Sequence, residues 1–514
     1  MGGPSVKMSE QPPKVRLPTK VRHKKPAGRR GVFFSLLGGV VIVVMMPDDK
    51  RLARSSARKA VQRRPSLVRA CTTQVAAVLV LTFVAFAPTK VANAQPPVGV
   101  NGADAPEDPR VVAALHGTEL QDARVRVEAA ATLGRLRSRA ALDRLWLMAR
   151  ADVDPEVRAA SIEALCLTRE PSLAELMGAL AAQDPDPVVR SLADLRARQL
   201  RAYGKRPGLA AFLSALCAGC GQLYLGHAAG DQIGRGAGFL AASATLIGAG
   251  FVLRDGRDVG LFGNDDAPGP NQQPTTAPLS LPAFTAAMNL GFYSAFAAYR
   301  DARLARGDDG YRFPVSHENI FQLALAPVNP RVLARPWFWA GIPAIFGALV
   351  AYSHFSPEGS GTRMAMRARS LDEGEGVWFL GRHYGKGAGF ALGESYNAGL
   401  FLPVAIGEES LFRGVIQPSL MEGLGLWPGF AATALIFGAS HIPNFTSSGL
   451  SAGLWAVPFI TATGAYFGLV AIKTGFALET SVALHFWYDF LLGTLAFVAD
   501  PDHQPFSLRL SLPL

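Results

Sequence analysis

The chain is poor in cysteine and in charge, and each shortage excludes a class of protein. Four cysteines in 514 residues, Cys71, Cys166, Cys217 and Cys220, are too few and too scattered for a disulfide framework. Cys217 and Cys220 spell CxxC, but within the apolar stretch LSALCAGCGQLYLG and without a second pair they favour small-residue packing over a redox or zinc role. Charged residues are 18% of the chain against 49% hydrophobic, and the mean hydropathy is positive, which points away from a wholly soluble protein. There is no HExxH motif for a conventional zincin, since His317-Glu318 is followed by Asn319, Ile320 and Phe321. Much of the net charge of +11 lies in basic runs at 14–30 and 50–69. These runs lack interleaved aromatics, so they read as topogenic charge or a basic tail, with no nucleic acid as partner. The inverted repeats and broken midplane helices of a transporter are also missing.

What is present divides the chain into four parts. Arg63, Arg64 and Arg69 precede an apolar run at 75–87 and then ANAQ, the form of a bacterial signal peptide or, uncut, a signal anchor. We therefore assign 1–95 to a basic N-terminal extension with its signal. From 107 to 200 the chain is rich in Ala, Leu and Arg, and Val125-Arg126, Val157-Arg158 and Val189-Arg190 recur at 32-residue intervals, the last two after acidic proline turns. This segment resembles HEAT repeats, a short α-solenoid that offers a surface to a protein partner. From 207 the apolar pattern predicts spans near 208–226, 235–253, 283–299, 337–355, 389–406, 427–442, 452–471 and 476–498. The first four form a membrane region at 207–355 and the rest a second one at 376–499. The expected fold is all-α, a polytopic transmembrane helix bundle preceded by a HEAT-like solenoid, in a bacterial inner membrane. GCGQLYLG, 219–226, is similar to the GxGQxYxG signature of small two-span membrane modules and is assigned no chemistry.

Loop charge sets an expected orientation. Arg300, Arg303, Arg306, Arg312, Arg331 and Arg335 place 300–335 in the cytoplasm, whereas 254–282 holds only Arg254 and Arg257 and falls outside. Counting spans back puts the repeats outside, in line with the signal-like segment. The cluster Arg196, Arg198, Arg201, Lys205 and Arg206 argues the other way.

The most informative stretch is GEESLFR, 407–413, which sets two carboxylates and an arginine in an apolar region. On insertion scales each ionised residue at a helix centre costs roughly 2.5–3.5 kcal/mol, so such groups mark functional sites and need partners. At about 100° per residue, Glu409 and Arg413 share a helix face as an ion pair, while Glu408 points away and is left for chemistry. A carboxylate of this kind suits a general base acting on water. Later apolar segments supply His441 at the end of FGASH, and His485 with Asp489 in HFWYD, able to polarise that water, hold a metal or stabilise an oxyanion.

The ordered trio EExxxR, FxxxH through Phe437 and His441, and Hxxx(N/D) resembles the CPBP family of intramembrane endopeptidases. That family includes the type II CAAX prenyl proteases and bacteriocin-immunity-like proteins. The likeness covers about 400–499. It implies an intramembrane hydrolase in which Glu408 and His441 activate water, Glu409 braces Arg413, and His485 and Asp489 bind the oxyanion or a metal. Where the prenyl proteases usually have Asn, this chain has Asp489, which cannot donate when ionised. Asp489 is left with three roles: metal ligand, carboxylate that orients His485, or protonated donor. A zinc ion on Glu408, His441, His485 and Asp489 is thus one mechanism, and a metal-free one the other. The metal-free route is preferred, because Glu408 cannot easily be both ligand and base. The competing reading is a non-catalytic membrane scaffold or immunity-type protein that keeps the network for structure. The partners expected are the bilayer and a protein or peptide substrate.

Overall fold

Helices account for nearly all of the structure, a computed structural model that describes residues 36–37, 40–41, 108–136, 141–254, 276–308, 310–355, 376–442, 450–499 and 501. The signal-like segment at 63–95, Arg257 and Cys71 lie outside the described residues. The chain forms two units, 1–64 and 65–514. The described residues of the first are one antiparallel pair, β1 (Leu36–Leu37) with β2 (Val40–Val41). In the second unit the regular elements are helices apart from one hairpin, β3 (Val377–Phe379) with β4 (Arg382–Tyr384), so the protein is all-α as expected.

The repeat region is six helices: α1 (Pro109–Gly117), α2 (Ala123–Leu136), α3 (Ala141–Ala151), α4 (Pro155–Cys166), α5 (Leu173–Gln183) and α6 (Pro187–Tyr203). The Asp-Pro dipeptides are helix starts. Asp108, Asp154 and Asp186 each accept a backbone N–H from the new helix, and the proline at the first helical position has no N–H to orphan. The Val-Arg dipeptides build a ladder across the repeats. Arg126 forks onto Asp152 with both contacts at 2.9 Å, and Arg158 onto Asp184 at 2.9 and 3.0 Å. The remaining Nη1 of Arg126, Arg158 and Arg190 donates in each case to the carbonyls six and five residues back. The valines beside the last two arginines, Val157 and Val189, are buried with Leu133, Leu145, Ile162 and Met177 in one apolar core.

The first expected span is not one. α7 (Pro207–Leu216) has 10 residues, about 15 Å of helix against a hydrocarbon core of about 30 Å. The chain then turns through Gly219 at φ 96°, a conformation that favours glycine, and returns as α8 (Cys220–Leu225). The return is complete: the Arg206 N–H donates to the Tyr224 hydroxyl at 3.1 Å. Gln222, fully buried, holds the turn by donating to the Ser294 carbonyl at 3.0 Å, while Ser294 Oγ accepts from the Gly219 N–H at 2.9 Å. Cys217 and Cys220 are bonded to each other across this turn, which replaces the expected packing role by a local cross-link.

α9 (Gln232–Leu253) and α10 (Ser280–Ala305) follow, then α11 (Ile320–Leu325), α12 (Pro330–Leu333) and α13 (Pro336–Phe355). α14 (Lys386–Leu411) runs through a π-helical turn, Phe412–Ile416, into α15 (Gln417–Leu424). Pro418 explains the wide turn, since its ring would clash with the carbonyl of residue 414 in a regular helix. α16 (Leu426–Ser440), α17 (Leu450–Lys473) and α18 (Glu479–Ala499) complete the bundle around Phe296, Phe467 and Leu484. Among the described residues, Gln232–Leu253 and Glu479–Val498 are long and apolar enough to cross a membrane.

Because α7 and α8 fold back on each other, the span count behind the expected sidedness does not hold. Arg306, just past α10, donates to the carbonyls of Ala202, Tyr203 and Lys205, so the repeats stand on the same side as the basic segment 300–335. Arg196, Arg198, Arg201, Lys205 and Arg206 belong to that same face.

Candidate active site

α14 carries GEESLFR into the bundle because its outer faces are apolar and Gly407 lets α10 approach. A Cβ on Gly407 would lie 2.3 Å from the Asn289 Oδ1. The last turn of α14 and the π turn then present Glu408, Glu409 and Arg413 to α16, α17 and α18.

Glu409 and Arg413 are fully buried and paired, with Nη1 donating to Oε1 at 3.1 Å. The same oxygen also receives His485 Nδ1 at 2.9 Å. Arg413 Nη2 donates to the Gly464 carbonyl at 2.7 Å, and its guanidinium lies 4.4 Å from the Phe437 ring centre and 5.4 Å from that of Phe467. One turn on, Gln417 Nε2 donates to the Gly468 carbonyl at 3.0 Å. Arg413 and Gln417 thus pin the π turn to α17. His485 is stacked on Phe467 at 5.0 Å, and its Nε2 is 3.3 Å from Asp489 Oδ2.

Glu408 points away from this pair. Its Oε2 is 3.6 Å from His441 Nε2 and has no hydrogen-bond partner among the described residues. His441, at the end of α16, is oriented by Nδ1 donating to the Phe437 carbonyl at 2.8 Å, which turns Nε2 toward Glu408. Glu408, His441 and Asp489 keep 17, 19 and 20% of their side-chain surface, whereas Glu409 and Arg413 keep none. The site therefore has a closed layer, Glu409–Arg413–His485, and an accessible layer, Glu408, His441 and Asp489. An ionised carboxylate only accepts, so the two carboxylates flanking His485 are both satisfied only when a proton beyond the neutral imidazole's is present.

The four residues with metal-ligand chemistry do not converge as a metal set. Among the described residues no group of three His, Cys, Asp or Glu side chains is placed to hold an ion, and both His485 nitrogens face carboxylates. Sequence reasoning missed Asn289, Gln417, Thr461 and Phe467. Asn289 Oδ1 and Thr461 Oγ1 are buried without partners among the described residues, as are Glu409 Oε2, Ser410 Oγ and Arg413 Nε. Thr461 lies against Gly438, one turn before His441. The small pair Gly464 and Gly468, at one-turn spacing in an apolar helix, was the readable signal for Gln417 and for the α15–α17 approach.

Comparison with known proteins finds two family matches. Residues 396–491 match the family described as Type II CAAX prenyl endopeptidase Rce1-like, and residues 111–197 match HEAT repeats. No curated protein and no solved structure matches the chain. The chain thus joins a HEAT-repeat region to a region similar to the type II CAAX prenyl endopeptidases, and that second region holds Glu408, Glu409, Arg413, His441, His485 and Asp489.

Proposed function

We propose that the protein is a multi-pass intramembrane endopeptidase that hydrolyses a peptide bond of a membrane-associated polypeptide. The observation that carries this reading is the Glu408–His441 pair: a buried carboxylate oxygen without a protein partner, on a side chain that keeps 17% of its surface, 3.6 Å from an imidazole nitrogen aimed at it. In this reading the substrate water enters between the two and is hydrogen-bonded to both. Glu408 takes its proton, the hydroxide attacks the scissile carbonyl, and the carboxylic acid so formed returns the proton to the leaving amine. The imidazole of His441 holds the water in line. His485, fixed between Glu409 and Asp489, places positive charge behind the developing oxyanion when it is doubly protonated. Asp489 thereby acts as the orienting carboxylate for His485. The donor geometry does not fit a zinc ion, and no step is routed through one.

The repeats are proposed to recruit a protein partner or substrate. Because they share a face with the arginine-rich segment 300–335, the positive-inside rule places them in the cytoplasm of the bacterial cell.

Glu408→Gln tests the reading, being nearly isosteric but unable to accept a proton. Membrane peptides whose cleavage is lost in cells carrying Glu408→Gln identify substrates, which are then assayed with purified protein in liposomes. The variant should melt like wild type and cleave nothing. Near-wild-type cleavage would end the assignment.

A further inference from the structure

The connection between α10 and α13 carries a stretch that takes no part in the site described above. Residues 320–328, IFQLALAPV, form α11 and a 3₁₀ turn, Ala326–Val328, and Gln322 is their one polar residue. The stretch is apolar on both faces. Leu323 and Ala326 are fully buried in the core with Ile406 and Leu484, whereas Phe321, Leu325 and Val328, at i, i+4 and i+7, are 77, 62 and 65% exposed. Left in water, these three side chains would forgo about 1–2 kcal/mol each. A helix that is apolar all round belongs in a core or in lipid.

α18 gives the depth of the stretch. Its apolar length, Glu479–Val498, is 20 residues, about 30 Å of helix and equal to the hydrocarbon thickness. Glu318, just before α11, lies beside Leu478 and Glu479 at the start of α18. Trp487 Nε1 donates to the Pro327 carbonyl at 2.8 Å, and Trp487 stands about 12 Å along the helix from Glu479. Arg335 then donates to Thr480 Oγ1, back at the start of α18. Trp337 and Trp339, both exposed, follow at that level, where an interfacial aromatic belt belongs. From 318 to 335 the chain therefore runs inward along α18 and returns to the side it came from.

Its backbone suits a place without water. Asn319 Oδ1 accepts the N–H groups of Phe321 and Gln322, and Gln322 Oε1 accepts that of Asn319. Asn329 Oδ1 accepts the Arg331 N–H in the same manner. Pro327 and Pro330 have no N–H to satisfy, and the Pro327 carbonyl, at the deepest point, takes the indole of Trp487. Irregular backbone at membrane depth requires such internal pairing, and a loop in water does not.

We propose that residues 320–328 are a re-entrant membrane segment whose Phe321, Leu325 and Val328 lie against the acyl chains of the cytoplasmic leaflet. Lipid is the occupant that matches this face: it is apolar, it adjoins the apolar length of α18, and the nearest charges along the chain are Glu318 and Arg331, one on each flank. The inference rests on the membrane reading and is independent of the peptidase chemistry.

The test uses the full wild-type chain in liposomes that contain a phosphatidylcholine with a photoactivatable diazirine on its acyl chain. After photolysis, mass spectrometry of peptides should find lipid adducts on Phe321, Leu325 and Val328, as on Ile247 of the exposed face of α9, and none on Val153 of the repeats. In a cysteine-free background, an impermeant maleimide added to opened membranes should modify Val153→Cys and leave Leu325→Cys unmodified, because the reactive thiolate needs water. Adducts on Ile247 without adducts on the three residues would overturn the proposal and leave the membrane reading standing. Leu325→Cys labelled as fast as Val153→Cys would also overturn it and make the stripe a water-facing surface for a protein partner. Adducts on neither Ile247 nor the stripe would overturn the membrane reading and the proposal together.

Discussion

Glu409→Ala should destabilise the protein more than any other single change at the site, because one oxygen serves two buried partners. Glu409 Oε1 accepts from Arg413 at 3.1 Å and from His485 at 2.9 Å, and neither Glu409 nor Arg413 has exposed side-chain surface. Stripping a buried charge of its partner costs about 3–5 kcal/mol. Arg413 would keep the Gly464 carbonyl and the faces of Phe437 and Phe467, and contacts of the cation–π kind recover about 1–2 kcal/mol. A net loss of about 3 kcal/mol corresponds to a fall in Tm of roughly 6–12 °C at about 2–4 °C per kcal/mol. Intrinsic tryptophan fluorescence melts in detergent read this directly. The companion variant Glu409→Ala/Arg413→Met removes the stranded charge and should recover most of the loss without restoring cleavage, since an apolar residue of similar size replaces a buried ion pair at little cost. A Glu409→Ala melt that overlays wild type, or a double variant as unstable as the single one, would refute the argument.

In the repeat region, burial raises the Asp184 carboxyl, but the Arg158 guanidinium and the Asp186 N–H outweigh it and hold the group below the usual carboxylate range. A lowered folded-state value means that the stabilisation is complete above the unfolded value of about 3.9 and is lost as pH falls through the folded one. Pepsin should therefore begin to nick the repeats only below about pH 4, and Asp184→Asn should flatten that acid dependence; an unaltered acid limb would contradict the ladder's role. For sidedness, single cysteines at Val153, Arg331 and Lys386 in a cysteine-free background should divide two against one. The first two should react with an impermeant maleimide only in opened membranes and the third in intact spheroplasts, and labelling of Val153→Cys and Arg331→Cys from opposite sides would contradict the re-entrant pair. At the site, chelators should leave cleavage intact and Asp489→Asn should preserve or raise it, because the amide oxygen still accepts from His485 and its N–H₂ adds a donor. Stoichiometric zinc lost together with activity would overturn the metal-free mechanism.

The parts that were readable in the sequence are those set by local spacing. Glu409 and Arg413, Phe437 and His441, and His485 and Asp489 are each four residues apart, and a helix of any tilt keeps such pairs on one face. The Val-Arg dipeptides were readable for a related reason, since Arg126 and Arg158 each reach back to the carbonyls of the turn before their own helix and across to an aspartate in the turn of the next repeat. The misreadings came from tertiary structure. Hydropathy sees 208–226 as one apolar stretch, because the reversal rests on a single positive φ at Gly219 and on Ser294, some 75 residues away. One misread span inverts every orientation assigned upstream of it. Asn289 was invisible for the same reason: its place against Gly407 exists only because α10 packs on α14 there.

Arg306 deserves a mechanical reading. Its guanidinium holds the carbonyls of Ala202, Tyr203 and Lys205, and its own carbonyl receives Gln199 Nε2 and the Tyr203 hydroxyl. These bonds make a weld and leave no hinge between the last repeat helix and the end of α10. A partner that tilts the repeats must therefore break the weld or drag α10 with them. α10 is the helix whose Asn289 is wedged against Gly407, next to the carboxylate assigned to the chemistry, so a load applied to the solenoid is passed along α10 to the helix that carries Glu408.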